Sequence, residues 1–188
     1  MLALAMLGCV AGAVLVVAPS AQAARQVTCK DKGVFYLRNS RGKVLDVKQR
    51  GTADGTPVVL WQRNGGRNQQ WRHIDCRTPE GYFAWTELRG VGSGKCLEVS
   101  RDRTVVSGSS VRIYTCLSGT GQEPRHQRWT AWPTVPRPSE MASQMGTPMG
   151  ETLYLDVDTT TGEGNGARIQ VHSDLHGRWN QLWSFVKA

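Results

Sequence analysis

Short apolar runs separated by Gly, Asn, Asp and Ser recur along most of the chain, the pattern of half-buried strands joined by turns. Val34-Phe35-Tyr36-Leu37, Lys43-Val44-Leu45-Asp46-Val47 and Thr56-Pro57-Val58-Val59-Leu60-Trp61 lead to Asn68-Gln69-Gln70-Trp71. Lys95-Cys96-Leu97-Glu98-Val99 and Ser110-Val111-Arg112-Ile113-Tyr114-Thr115-Cys116 then lead to His126-Gln127-Arg128-Trp129. Leu153-Tyr154-Leu155-Asp156-Val157 and Ala167-Arg168-Ile169-Gln170-Val171-His172 lead to Asn180-Gln181-Leu182-Trp183. These are three copies of one unit, spanning approximately 33–75, 82–132 and 139–186. No long amphipathic helix pattern appears among them, so the fold class is all-β. A unit of this size cannot bury an apolar face alone, so three must close around one axis.

Each unit ends on Gln-x-Trp. Residues i and i+2 of a strand share a face, so the Gln and the Trp are expected side by side, with Trp71, Trp129 and Trp183 in a shared core. The Gln is expected to bond backbone in the adjacent turn. The closing tryptophans stand 58 and 54 positions apart, from 71 to 129 and from 129 to 183, which is longer than four short strands require. The extra length is assigned to Thr78–Gly92 and Ser118–Pro124 in the second unit. Between the second and third it is assigned to Pro133-Thr134-Val135-Pro136-Arg137-Pro138-Ser139 and a Met-bearing run to Gly150, read as surface connection because three prolines deny helix and ladder alike. Trp85 and Trp132 are expected to pack within these insertions.

The amino terminus has a different character. Leu2 to Ala18 is almost wholly apolar and small, and Ala21-Gln22-Ala23 offers a small-x-small cleavage pattern, so residues 1–23 read as a signal peptide and 24–188 as the mature, secreted, extracellular chain. That run is too short for a convincing stop-transfer helix, and no membrane span is expected. Met6-Leu7-Gly8-Cys9 is a poor lipidation box. Export leaves Cys29, Cys76, Cys96 and Cys116, an even set that reads as two disulfides in an oxidising compartment. Of three pairings, spacing favours Cys29 with Cys76 and Cys96 with Cys116, since each pair then brackets one stretch of strand-like sequence. No Cys-x-x-Cys occurs, so neither metal nor cofactor is expected. The formal charge of +8 falls wholly on the mature part, but its arginines are scattered rather than clustered, which points to solubility rather than to nucleic acid.

Three Gln-x-Trp copies in register, each behind a Leu-Asp/Glu-Val block and an apolar-x-apolar-aromatic block, resemble the ricin B-type lectin family over essentially the whole mature chain. The resemblance implies a β-trefoil of twelve strands, a six-stranded barrel capped by three hairpins. It also implies carbohydrate binding: a carboxylate accepts hydroxyls, an aromatic ring lies beneath the sugar, and Asn and Gln complete the fan. Carried onto this chain, the first unit supplies Asp46, Trp61, Asn68 and Gln69, with Val59 where a polar residue is common. The third supplies Asp156, Gln170, His172, Asn180 and Gln181, with imidazole in place of a larger ring and Trp179 nearby. The second is weakest: Glu98 replaces Asp, His126 replaces Asn, Tyr114 is the plate, Gln127 closes the set, and Arg112 stands where it can neutralise the carboxylate. Trp61 falls on the face opposite Val58 and Leu60, where an exposed indole calls for a partner.

No catalytic residue is assigned. Asp156 and Asp158 would share a strand face in a shallow hairpin, without the cleft that glycosidase chemistry wants. No nucleophile elbow is present, and Gly162-Glu163-Gly164-Asn165-Gly166 reads as a hairpin turn rather than a phosphate loop. The expectation is a monomeric lectin for a galactose-type sugar or a plant or cell-wall polysaccharide. The competing expectation is a protein-interaction or cell-docking subunit of a secreted toxin or enzyme assembly, using Pro133–Gly150 as its contact.

Overall fold

The computed structural model describes residues 27–118, 123–130 and 138–188, so the expected signal peptide at 1–23, Trp132 and most of the proline-rich connection lie outside the described residues. Twelve strands occur among the described residues, four to a unit. They are β1 (Thr28–Asn39), β2 (Val44–Val47), β3 (Val58–Trp61) and β4 (Trp71–Arg77); β5 (Phe83–Gly90), β6 (Cys96–Val99), β7 (Ser109–Tyr114) and β8 (Trp129–Thr130); and β9 (Ala142–Ser143), β10 (Leu153–Val157), β11 (Ile169–Ser173) and β12 (Trp183–Lys187).

The first and last strand of each unit form the barrel. Antiparallel pairing runs β12–β1–β4–β5–β8–β9, and a bridge from Ser139 to Trp183 closes the ring. The middle strands form three hairpins, β2–β3, β6–β7 and β10–β11, which meet through β7–β11 pairing and through bridges from Pro57 to Arg112 and from Val59 to Arg168. This is a β-trefoil, and closure leaves the barrel no free edge.

One core is shared by all three units. Leu37, Leu45, Leu60 and Trp71 of the first, Leu88, Leu97, Ile113 and Trp129 of the second, and Leu153, Leu155, Ile169 and Trp183 of the third are fully or almost fully buried within it. Each closing indole also donates to the same kind of partner, the carbonyls of Leu45, Leu97 and Leu155, at 3.2, 3.2 and 2.9 Å. The two disulfides join Cys29 to Cys76 across β1–β4, and Cys96, in β6, to Cys116 just beyond β7.

Two segments expected as insertion are integral to the barrel. Phe83–Gly90 is β5, and Ala142–Ser143 is β9, preceded by Met141, which is buried in the core and whose carbonyl accepts from the Leu155 amide at 2.8 Å. β9 is too short, and its core residue too unlike the β-branched pattern, for alternation to reveal it. Trp85 lies in β5 rather than in an insertion, and packs beneath the Arg128 guanidinium at 3.9 Å.

Candidate functional site

In each hairpin the acidic residue of the second strand lies directly across from one residue of the third. The register pairs Asp46 with Val59, Glu98 with Arg112, and Asp156 with Gln170. Directly opposed residues share a sheet face, so the partner decides what becomes of the carboxylate.

Val59 has no polar atom, and Asp46 is held from elsewhere. A short 3-10 turn at Arg67–Gln69 brings Asn68 and Gln69 behind it, and both side-chain amides donate to Asp46 Oδ2 at 2.9 Å. Oδ1 accepts no hydrogen bond among the described residues, and Asp46 lines a cavity. That cavity, about 430 Å³, is lined by Asp46, Val59, Trp61, Asn64, Asn68 and the turn at Lys48–Arg50. Asp46 is 4 % exposed and Trp61 39 %, so an anchored carboxylate sits beside an open indole. Burial raises the Asp46 pKa above its ordinary 3.8, with the two amides and Arg50 pulling the other way. The third unit contributes too: Gly166 lines the cavity, its amide donates to the Leu60 carbonyl, and Asn165 Oδ1 accepts from the Gln62 amide at 2.8 Å.

Glu98, fully buried, is met by its opposite residue. Arg112 donates to Glu98 Oε1 through Nε and Nη2 at 3.2 and 3.1 Å and reaches Asp102 with Nη1, while Gln127 donates to Oε2 at 2.8 Å. The Tyr114 ring lies 4.4 Å from the Arg101 guanidinium, and His126 Nδ1 lies 3.0 Å from the Val99 carbonyl. Guanidinium groups thus cover both the Glu98 carboxylate and the Tyr114 ring.

The third unit is intermediate. Gln170 donates to Asp156 Oδ1 at 2.9 Å and Asn180 donates to Oδ2, so both carboxylate oxygens already accept a bond. Gln170 in turn accepts from Arg168 at 2.7 Å. His172 is half-buried with Nδ1 3.2 Å from the Ser173 carbonyl, and the Trp179 ring is covered by Arg41 at 3.7 Å. Burial raises the Asp156 pKa. Asp158 lies beyond β10, where it caps the turn at Thr159–Thr161 and pairs with Arg168 at 2.8 Å. Gly162–Gly166 lies in the β10–β11 hairpin connection.

The three Gln side chains of the Gln-x-Trp motif stand behind the sites rather than in them. Each sits in a 3-10 turn, not in the strand of its Trp, and each is buried. Gln69, Gln127 and Gln181 accept from the backbone amides of Asn64, Leu117 and Leu175 at 2.8, 2.9 and 2.8 Å. They donate to the carbonyls of Gln62, Thr115 and Ser173 at 2.9, 3.0 and 2.8 Å. Asn64, the Lys48–Arg50 turn and Gly166 are lining groups the sequence did not single out. Two of them face the cavity from loops, and Gly166 comes from another repeat.

Residues 23–114 match the family described as ricin-type β-trefoil lectin domain-like, which spans the first unit and much of the second. On a β-trefoil fold, residues 23–114 of the chain are thus similar to ricin-type lectin-like domains. The designed threefold-symmetric protein ThreeFoil matches at 28 % identity and a TM-score of 0.67, over 83 % of this chain and 99 % of its own. An exo-β-1,3-galactanase from Clostridium thermocellum matches at 26 % and 0.67 over 84 % of this chain, which spans 31 % of that enzyme. The Macrolepiota procera ricin B-like lectin, solved in complex with lactose, shares the fold at 17 % identity and a TM-score of 0.60, over 85 % and 98 % of the two chains. No curated protein sequence matches.

Proposed function

We propose that the chain is a secreted, monomeric lectin, without catalysis of its own, that binds a galactose-type sugar or a plant or cell-wall polysaccharide through its first repeat. The observation that carries this reading is the buried Asp46 carboxylate, fixed through one oxygen and open through the other, beside the exposed Trp61 indole. A neutral sugar needs that pair: an acceptor for its hydroxyls and an aromatic plate for its C–H face. Asp156, His172 and Asn180 form a weaker second site, because Gln170 competes with ligand for Asp156. The Glu98 position serves architecture. Support for the sugar class comes from neighbours of the same fold, one bound to lactose, one an earthworm R-type lectin bound to GalNAc, and one a galactanase. The two disulfides fit an oxidising compartment and support export, with 1–23 removed as a signal peptide and 24–188 as the lectin domain.

A glycan array read by tryptophan fluorescence tests the proposal. Galactose-terminated glycans are expected to bind, and Trp61→Ala to weaken them by tenfold or more, about 1.4 kcal/mol. Binding that survives Trp61→Ala combined with His172→Ala contradicts the placement; no binding to any glycan contradicts the function.

A further inference from the structure

The first-repeat pocket has a neighbouring cleft that Trp61 does not line. This cleft, about 460 Å³, adjoins it, and Arg50 and Asn68 line both. Its walls are the Gly65-Gly66 turn on one side and Gly92 on the other, with the Arg67 guanidinium reaching across to the Val91 carbonyl at 3.3 Å. Among the described residues that line it there are two arginines and no carboxylate.

Three features of this junction belong to the first repeat alone. Gln49 and Arg50 both have left-handed backbone, with φ of 54° and 56°, whereas Thr159–Thr161, the matching turn of the third repeat, reserves positive φ for Gly162. Side-chain-bearing residues adopt that region at a cost, and such strain collects where a particular side chain must be aimed. Gly66 stands two residues before Asn68, where Pro124 and Arg178 stand in the other repeats. A Cβ there would lie 2.5 Å from Asn68 Oδ1. That oxygen is buried and has no hydrogen-bond partner among the described residues, although the same side chain's Nδ2 is bonded to Asp46 and to the Val47 carbonyl. A buried acceptor without a donor calls for a ligand group.

We infer that the first repeat takes at least two linked sugar units: a neutral one on Asp46 and Trp61, and a neighbour bearing an anionic substituent, a carboxylate or a sulfate ester, in the cleft between Arg50 and Arg67. This rests on the proposal that Asp46 and Trp61 bind sugar. The anion of the second unit accepts from the two guanidinium groups, whose planar donors suit either oxyanion.

Titration of the full chain with galactobiose, glucuronosyl-galactose and sulfated galactobiose tests this and separates the two anion sources. The acidic disaccharides are expected to bind about five- to tenfold tighter than galactobiose at low salt, with the advantage shrinking as salt is raised. Arg67→Gln is expected to erase that ratio, and Arg103→Gln, in a separate cavity, to leave it intact. A preference for only one acidic disaccharide identifies the substituent. Equal affinity for neutral and acidic disaccharides overturns the inference while leaving the lectin proposal standing. A ratio lowered equally by both variants also overturns it, because the net charge then accounts for the preference. Binding of none of the three overturns the lectin proposal itself.

Discussion

Asp46, Glu98 and Asp156 occupy one place in three hairpins and differ in what stands opposite: valine, arginine or glutamine. The aliphatic partner is the one that keeps an oxygen open. Because both amide donors fall on Asp46 Oδ2, an asparagine at this position can keep its oxygen there and turn its NH2 toward the cavity. Asp46→Asn is therefore expected to fold normally. It should also gain stability at neutral pH. A buried carboxylate with a raised pKa contributes most to stability below its unfolded value of 3.8 and loses that contribution as pH rises through the folded value. The amide does not titrate. Thermal melts at pH 7 read the gain, and a lower melting temperature contradicts the argument. Sugar binding has the opposite dependence, since it needs the carboxylate; acidification should weaken it from a pH above 3.8, the ordinary aspartate value, in a titration of affinity against pH.

At the scale of the element, Gln-x-Trp is a clamp. The Gln satisfies one amide and one carbonyl of the loop before it, the Trp fills the core, and its indole N–H holds the carbonyl of the hairpin's first strand. Losing the Gln leaves buried backbone groups unpaired, at about 1–3 kcal/mol for each. Gln127→Ala, in the repeat proposed to have no binding role, is expected to destabilise the fold by about 2–4 kcal/mol while sugar affinity stays unchanged; denaturant unfolding beside a lactose titration checks both. This clamp was legible in the sequence because its parts are close in the chain and occur three times. The sites were less so. Val59 reads, residue by residue, as a lost hydroxyl contact, and only the register shows that it lies opposite Asp46 and leaves an oxygen free. β5 and β9 read as insertion in the sequence, because their strand identity comes from closure of the barrel rather than from alternation.

Over the whole molecule, the three repeats hold one another in place. The β10–β11 connection of the third supports the strand that carries Trp61, a contact that no pattern within a single repeat discloses. The disulfides are local by comparison, tying residues 47 and 20 positions apart. In the loop-entropy account they are worth about 4 and about 3 kcal/mol, so replacing Cys29 and Cys76 together with Ala should cost more than replacing Cys96 and Cys116. Denaturant unfolding of the two double variants would show the order, and the reverse order contradicts it. The charge of +8 is scattered along the sequence, and the fold gives part of it a place by setting Arg50 and Arg67 around one cleft.

In the proposed function, sugar binds at the first repeat because Asp46 there has an oxygen without a protein donor beside Trp61. Calorimetric titration of lactose into the full chain and into Asp46→Asn tests it most directly. One dominant site per chain is expected, lost in the variant although its melting temperature is not lowered. Three equivalent sites, or lactose binding undiminished in Asp46→Asn, would contradict it.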